Sequence, residues 1–238
     1  MPRRRSAVLP GLVIFVLVVA LLTAGLLIGD RWAKATVEQR VAEQLKISLG
    51  TPQLPRVAIA GSPFLVQVLN RDVRSVQVAA DDLGAGNDAL LPVHHGDFTV
   101  TDVTSDDWYR TMKAGHIEGV ALLSYEDLAK LANVAISYVS DGRVEIDVNA
   151  TVFGYAVHAK ITGKPRLEPG QQAITLADPK ITVAEVNLPD LTAQALLRAL
   201  VKPIQLTGIP LGLKLTSVSA EGDGLHLAVA GDDVPLQP

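Results

Sequence analysis

The chain holds five histidines and no cysteine, so any metal or nucleophile chemistry must be built from histidine, carboxylate and hydroxyl groups. His94 and His95 are neighbours in an alternating stretch, and their side chains diverge too far to grip one ion together. His116-Ile117-Glu118 has the first half of a zinc deaminase motif, whose two cysteines are missing. His158 and His226 stand alone in the sequence. Acidic pairs occur at Asp81-Asp82 and Asp106-Asp107, but neighbours on extended chain point to opposite faces, and both pairs read as solvated turns. There is no G-x-S-x-G elbow, no phosphate-cradling lysine loop and no dinucleotide fingerprint, and Gly84-Ala85-Gly86 reads as a loop. Asn149-Ala150-Thr151 matches a glycosylation sequon in form only. Without cysteine there is no thiol catalysis, no thiolate metal site and no disulfide. No catalytic residue, metal or cofactor is expected, and nothing in these residues looks like an active site.

The strongest physical signal lies elsewhere. Gly11 to Ile28 is an uncharged apolar run of eighteen residues, roughly 27 Å long as a helix and so matched to the hydrocarbon core of a bilayer. Arg3, Arg4 and Arg5 precede it, which by the positive-inside rule keeps the first residues cytoplasmic and sends residues 30–238 across the membrane. Its length favours an uncleaved anchor over a cleaved signal. The nearest small-x-small triplet, Ala33-Lys34-Ala35, lies beyond charged Asp30 and Arg31 and makes a poor cleavage site. Residues 1–29 are therefore read as anchor and 30–238 as one domain outside the plasma membrane, with a cleaved and secreted form as the alternative. The net charge is −4, and since the three arginines are the only charges before residue 30, the exported part carries −7. Such a domain is a poor partner for nucleic acid and for a general electrostatic grip on anionic lipid.

The elements follow from periodicity. From Asp30 to Leu49, Trp32, Val37, Val41, Leu45 and Leu49 form one apolar stripe, opposite Lys34, Glu38, Gln39, Arg40, Glu43 and Gln44, which predicts an amphipathic helix ended by Gly50, Pro52 and Pro55. Arg56 to Ala60 reads as a short strand. Ser62 and Pro63 then open a two-turn helix to Asn70, a knob exposing Phe64, Leu65, Val68 and Leu69. From Asp72 the period becomes two, around Val76 and Val78, Phe98 and Val100, Val144 to Ala150, Phe153 to Ile161, Ile174 and Leu176, Ile181 and Val183, Leu213 and Leu215, and Leu225 to Val229. Turn residues stand at Asp141-Gly142, Pro169-Gly170 and Glu221-Gly222-Asp223-Gly224. Two helices interrupt the strands, one capped at Ser124-Tyr125-Glu126-Asp127 and one following Asn187-Leu188-Pro189-Asp190. The fold class is α+β, a long curling antiparallel sheet with helices on its apolar face.

The string Gly61-Ser62-Pro63-Phe64-Leu65-Val66-Gln67, with Pro55 to Ile59 before it and Val76-Gln77-Val78 after it, resembles the signature of the LmeA family of actinobacterial cell-envelope proteins. The likeness continues at Leu123 to Leu128, at Leu188-Pro189, at Ile209-Pro210-Leu211-Gly212-Leu213 and at Gly224-Leu225-His226-Leu227. The late motif usually runs Leu-Pro-Phe-Gly, and Ile209 and Leu211 replace its apolar members. The resemblance implies a phospholipid-binding protein that prefers phosphatidylinositol-type lipids and supports mannan elongation of lipomannan outside the plasma membrane. It also implies a fold akin to tubular lipid-binding domains and, as partner, a membrane mannosyltransferase. On that reading an aliphatic sheet and a helix enclose a dry slot, where each buried lipid methylene gains about 0.8 kcal/mol. Candidate lipid-binding residues are Phe64, Leu65, Val68 and Leu69 at the mouth, with Arg56, Arg71 and Arg74 placed for a phosphate. The alternative is an envelope scaffold that binds no lipid and docks on a membrane glycosyltransferase.

Overall fold

The computed structural model describes residues 29–84, 93–106, 111–152, 155–168, 170, 172–183, 203–206 and 209–236. The apolar run 11–28 and the helix expected after Asn187-Leu188-Pro189-Asp190 lie outside these residues. Helix α1 covers 29–48, and β1 (Arg56–Ala60) and α2 (Phe64–Asn70) follow. Next come β2 (Asp72–Leu83), β3 (Val93–Asp106), β4 (Thr111–Leu123) and α3 (Tyr125–Ala132). Strands β5 (Ala135–Ser140), β6 (Arg143–Val152), β7 (Tyr155–Glu168), β8 (Ala173–Val183) and β9 (Ile204–Gln205) form the middle of the chain. A 3-10 turn at Pro210–Gly212 leads to β10 (Lys214–Glu221) and β11 (Gly224–Leu236).

All pairings are antiparallel, and the strands form a curled, mostly β fold in two sheets rather than one long one. The first sheet runs β1-β2-β3-β4-β11-β10 and the second β5-β6-β7-β8-β9. They share one core, in which Leu123, Leu225 and Leu227 of the first sheet lie in the same cluster as Ile136, Val144 and Ile174 of the second. Helix α3 carries the chain between them. The Ser124 hydroxyl accepts from the Asp127 amide at 3.1 Å, the expected cap, and the Tyr125 hydroxyl donates to the carbonyl oxygens of Glu221 and Gly224 at 2.6 and 3.2 Å. Burial of that phenol pushes its pKa up to about 12. Gln172 bridges the sheets on the other side, its side-chain oxygen accepting the Leu215 amide hydrogen at 2.6 Å.

The curl of the first sheet has a local cause. In its upper part the inward residues are Ile117 and Ala121 on β4 and Leu225, Leu227 and Val229 on β11. Below a line through Asp102 on β3 and Asp233 on β11, both in left-handed backbone, the inward set shifts by one residue, to Ala114 and Val234. A kink that crosses several paired strands at one level re-aims their side chains and bends the sheet.

Helix α1 stands along the edge of this sheet instead of lying on its apolar face. Its stripe is rotated from the expected one. Ala42 is buried and Val41, Leu45 and Leu49 are half-buried, while Trp32 and Val37 are exposed and Glu38 turns inward. The reason is the sheet edge: Glu38 Oε1 accepts the Ile59 amide hydrogen of β1 at 2.7 Å, a donor with no strand beyond it. At the top, the Gly84 amide donates to the Leu49 carbonyl at 2.9 Å. At the bottom, Asp30 Oδ1 accepts the Leu65 amide hydrogen at 2.7 Å.

Candidate functional site

Alternation along a strand gives the first sheet two faces, and the outward one carries the candidate site. Strand register aligns Arg56, Ala79, Asp97, Val120 and Ala228 in one row across β1, β2, β3, β4 and β11. Two residues along each strand, Ala58, Gln77, Thr99, Glu118 and Ala230 form a second. Between these rows the curled sheet cups a groove of about 700 Å³. That volume falls within the ~300–1,000 Å³ typical of small-ligand sites. Its floor is shallow because the side chains are short, alanines at both ends with Val120 near the middle.

On the opposite face the backbone beneath the groove is held by one aromatic ring. Phe98 lies over Gly96 and Gly119, so closely that a Cβ on either glycine would collide with the ring. A Cβ on Gly119 would also come within 2.7 Å of the Asp97 carbonyl oxygen.

Each carboxylate of the groove has a histidine beside it. His95 sets Nδ1 against Asp81 at 2.5 Å and Nε2 against Asp97 at 3.1 Å. Only the doubly protonated ring can donate to both, and its pKa is raised, chiefly by the hydrogen bond to Asp81, whose own pKa is lowered by the same bond. His116 pairs with Asp232 at 2.6 Å and stands 3.9 Å from Glu118. Among the described residues no carboxylate lies within ion-pair distance of Arg56. The groove thus offers a cation at one rim, amide, hydroxyl and carboxylate groups along its middle, and small apolar surface between them. That set can pair with and hydrogen-bond to a polar ligand group beside a small apolar surface.

The structure divides the sequence-expected residues. Arg56 lines the groove. Phe64 does not sit at a mouth: it is only 2% exposed, because α2 turns Phe64 and Gln67 inward and leaves Leu65, Val66 and Leu69 outside. Val68 is half-buried, and Arg71 and Arg74 stand at the bottom of the sheet, where α2 enters β2, apart from the groove. Ser62 does not cap α2; the cap position is Pro63, and the carboxylate of Asp30 takes the free amides instead, which lowers its pKa. Gln67 explains the glycine at the head of the motif. Its Nε2 donates to the Ala60 carbonyl at 3.2 Å and its Oε1 accepts the Arg74 amide hydrogen at 3.1 Å, and a Cβ on Gly61 (φ +95°) would come within 2.6 Å of Gln67 Nε2.

Other sequence readings shift as well. Asp81 and Asp82 lie in β2, not a turn, and part to opposite faces to meet His95 and His94. His226 is not alone: Asp223 lies 3.0 Å and Glu221 3.9 Å away at the β10–β11 turn, and the hydrogen bond to His226 lowers the Asp223 pKa. The groove itself went unread, since its outward side chains are small or polar and β4, which runs through its middle, carries no plain alternation.

The LmeA-like phospholipid-binding family matches residues 28–230 of the 238. The chain belongs to that family. No curated protein and no solved structure matches it. In this LmeA-like chain the family string from Gly61 to Gln67 forms the joint between β1, α2 and β2, Ser124 to Leu128 caps and begins α3, and Gly224 to Leu227 opens β11. Leu188-Pro189 lies outside the described residues.

Proposed function

We propose that this LmeA-like protein is a membrane-anchored phospholipid-binding accessory factor, held in the plasma membrane by residues 11–28 with its domain on the outer side, and that it acts by binding rather than by catalysis. The groove carries the reading. Arg56 takes the lipid phosphate, Gln77, Asp97, Thr99 and Glu118 meet the hydroxyls of an inositol-type head, and the alanine and valine floor takes the glycerol and upper chain. A head group of that class agrees with support of lipomannan elongation, and a membrane mannosyltransferase is the partner such a role requires. An uncleaved anchor is supported by α1 itself: the triplet Ala33-Lys34-Ala35 lies inside the helix, and a cut there would remove Asp30, which holds α2.

The test is a photo-crosslinking residue at Val120 in the full chain, activated in native membranes, with the similarly exposed Val139 of β5 as the outside reference. Phosphoinositide adducts at 120 and none at 139 are expected. Adducts at 120 with protein alone would replace lipid binding with a scaffold docked on a glycosyltransferase.

A further inference from the structure

The lower end of the first sheet, far from α3 and the second sheet, has an unusual surface. Leu65, Val66 and Leu69 share the outer side of α2, and Leu69 is 81% exposed. Asp30 ties the start of α2 to the start of α1, and Trp32, 75% exposed, sits about 3 Å further along that helix, half a turn round from Asp30. Four large apolar side chains therefore surround the place where the chain enters the domain. The segment outside the described structure ends at that same place: residues 11–28 are uncharged and apolar, and α1 is already helical at 29. Around the patch the sequence places Arg31, Arg71 and Arg74 beside Asp30 and Asp72, a net excess of one positive charge, too small to drive adhesion to anionic lipid.

We infer that α2 and Trp32 form a membrane-docking foot that rests in the interface of the bilayer holding residues 11–28, an inference that depends on the anchor proposed above. A tryptophan one turn beyond a membrane span belongs at headgroup level, and a short helix with leucines outward buries them in the same layer. The domain then stands upright on α2, the groove partway up one side and the second sheet farthest from the lipid. The grip is apolar, so neutral lipid suffices and salt does not release it.

The absence of cysteine allows a direct test. Full-chain variants Leu69→Cys and Ile47→Cys each carry one environment-sensitive dye. Ile47 is 84% exposed near the top of α1, roughly 22 Å along the helix from Trp32. Each variant is reconstituted into phosphatidylcholine vesicles, with and without nitroxide-labelled acyl chains. The dye at 69 should shift to shorter wavelength and be quenched by the nitroxide lipid, unchanged by high salt, while the dye at 47 does neither. A chain that floats with the vesicles but reports water at 69 overturns the foot and leaves the anchor standing. A chain that does not float overturns both. A dye at 69 that is shifted but not quenched is covered by protein and also overturns the foot. Lipid in the groove is read separately, by crosslinking at Val120.

Discussion

The carboxylate of Asp30 accepts the Leu65 amide hydrogen at 2.7 Å, so a residue of α1 performs the capping that the neighbouring serine of α2 leaves undone. A folded pKa below the ordinary 3.8 means that this bond stabilises the native state at neutral pH, and that the contribution is lost as pH falls below about 4 through the folded value. Asp30→Asn should therefore lower the thermal midpoint at pH 7. The gap to the unsubstituted chain should close in acid, as scanning calorimetry across pH 2–7 would show.

His95 has the opposite sign. Its pKa is raised in the folded chain, so its pairing with Asp81 and Asp97 stabilises fully below pH ~6.5 and is lost as pH rises through the folded value. His95→Gln should lose stability at pH 5.5 and approach the unsubstituted chain at pH 9. Because protonated His95 also offsets the charge of Asp97, binding of an anionic head in the groove should strengthen toward acid in the unsubstituted chain and flatten in the variant. Lipid titrations at several pH values decide it.

Arg56→Gln removes the cation at the groove rim without touching the core. The expected loss in affinity for anionic phospholipid is about three- to tenfold, the size of a solvent-exposed charged hydrogen bond. Ala228→Trp should abolish binding by filling the floor, with the melting temperature unchanged. An Ala228→Trp chain that binds as before would move the lipid elsewhere.

Gly119 has no room for a side chain. Gly119→Val forces the Phe98 ring and the Asp97 carbonyl aside, an overpacking cost of about 1–3 kcal/mol measurable by denaturant unfolding. Gly222→Ala, at a turn where nothing stands within 4 Å of the added carbon, should cost far less.

Much of the strand order was readable because alternation with β-branched residues marks half-buried strands: β1, β6, β8 and β11 fall where Val57 and Ile59, Val144 to Val148, Ile174 and Leu227 predict them. β4 escaped because its inward positions include Gly119 and Ala121, and because the shift between Ala114 and Ile117 breaks the period of two. The α1 stripe differs from its apolar spacing through the same kind of competition. A pattern of apolar spacing cannot anticipate that an unpaired edge amide will draw Glu38 inward and turn Trp32 out. Of the seven expected site residues, Arg56 alone reaches the groove, and Leu65 and Leu69 are exposed on the knob as expected. The expected slot among aliphatic side chains differs from the groove, which opens on the face of alanines, threonine and carboxylates. Small outward residues leave no hydropathy signal, and only strand register reveals that they line up.

Glu38 has one more effect. A bare outer strand is the usual template on which neighbouring molecules zip together into aggregates. By occupying the outward Ile59 amide, Glu38 of α1 takes that donor of β1 out of reach of an approaching strand. An edge strand whose outward donor is already taken is a poorer template for such pairing.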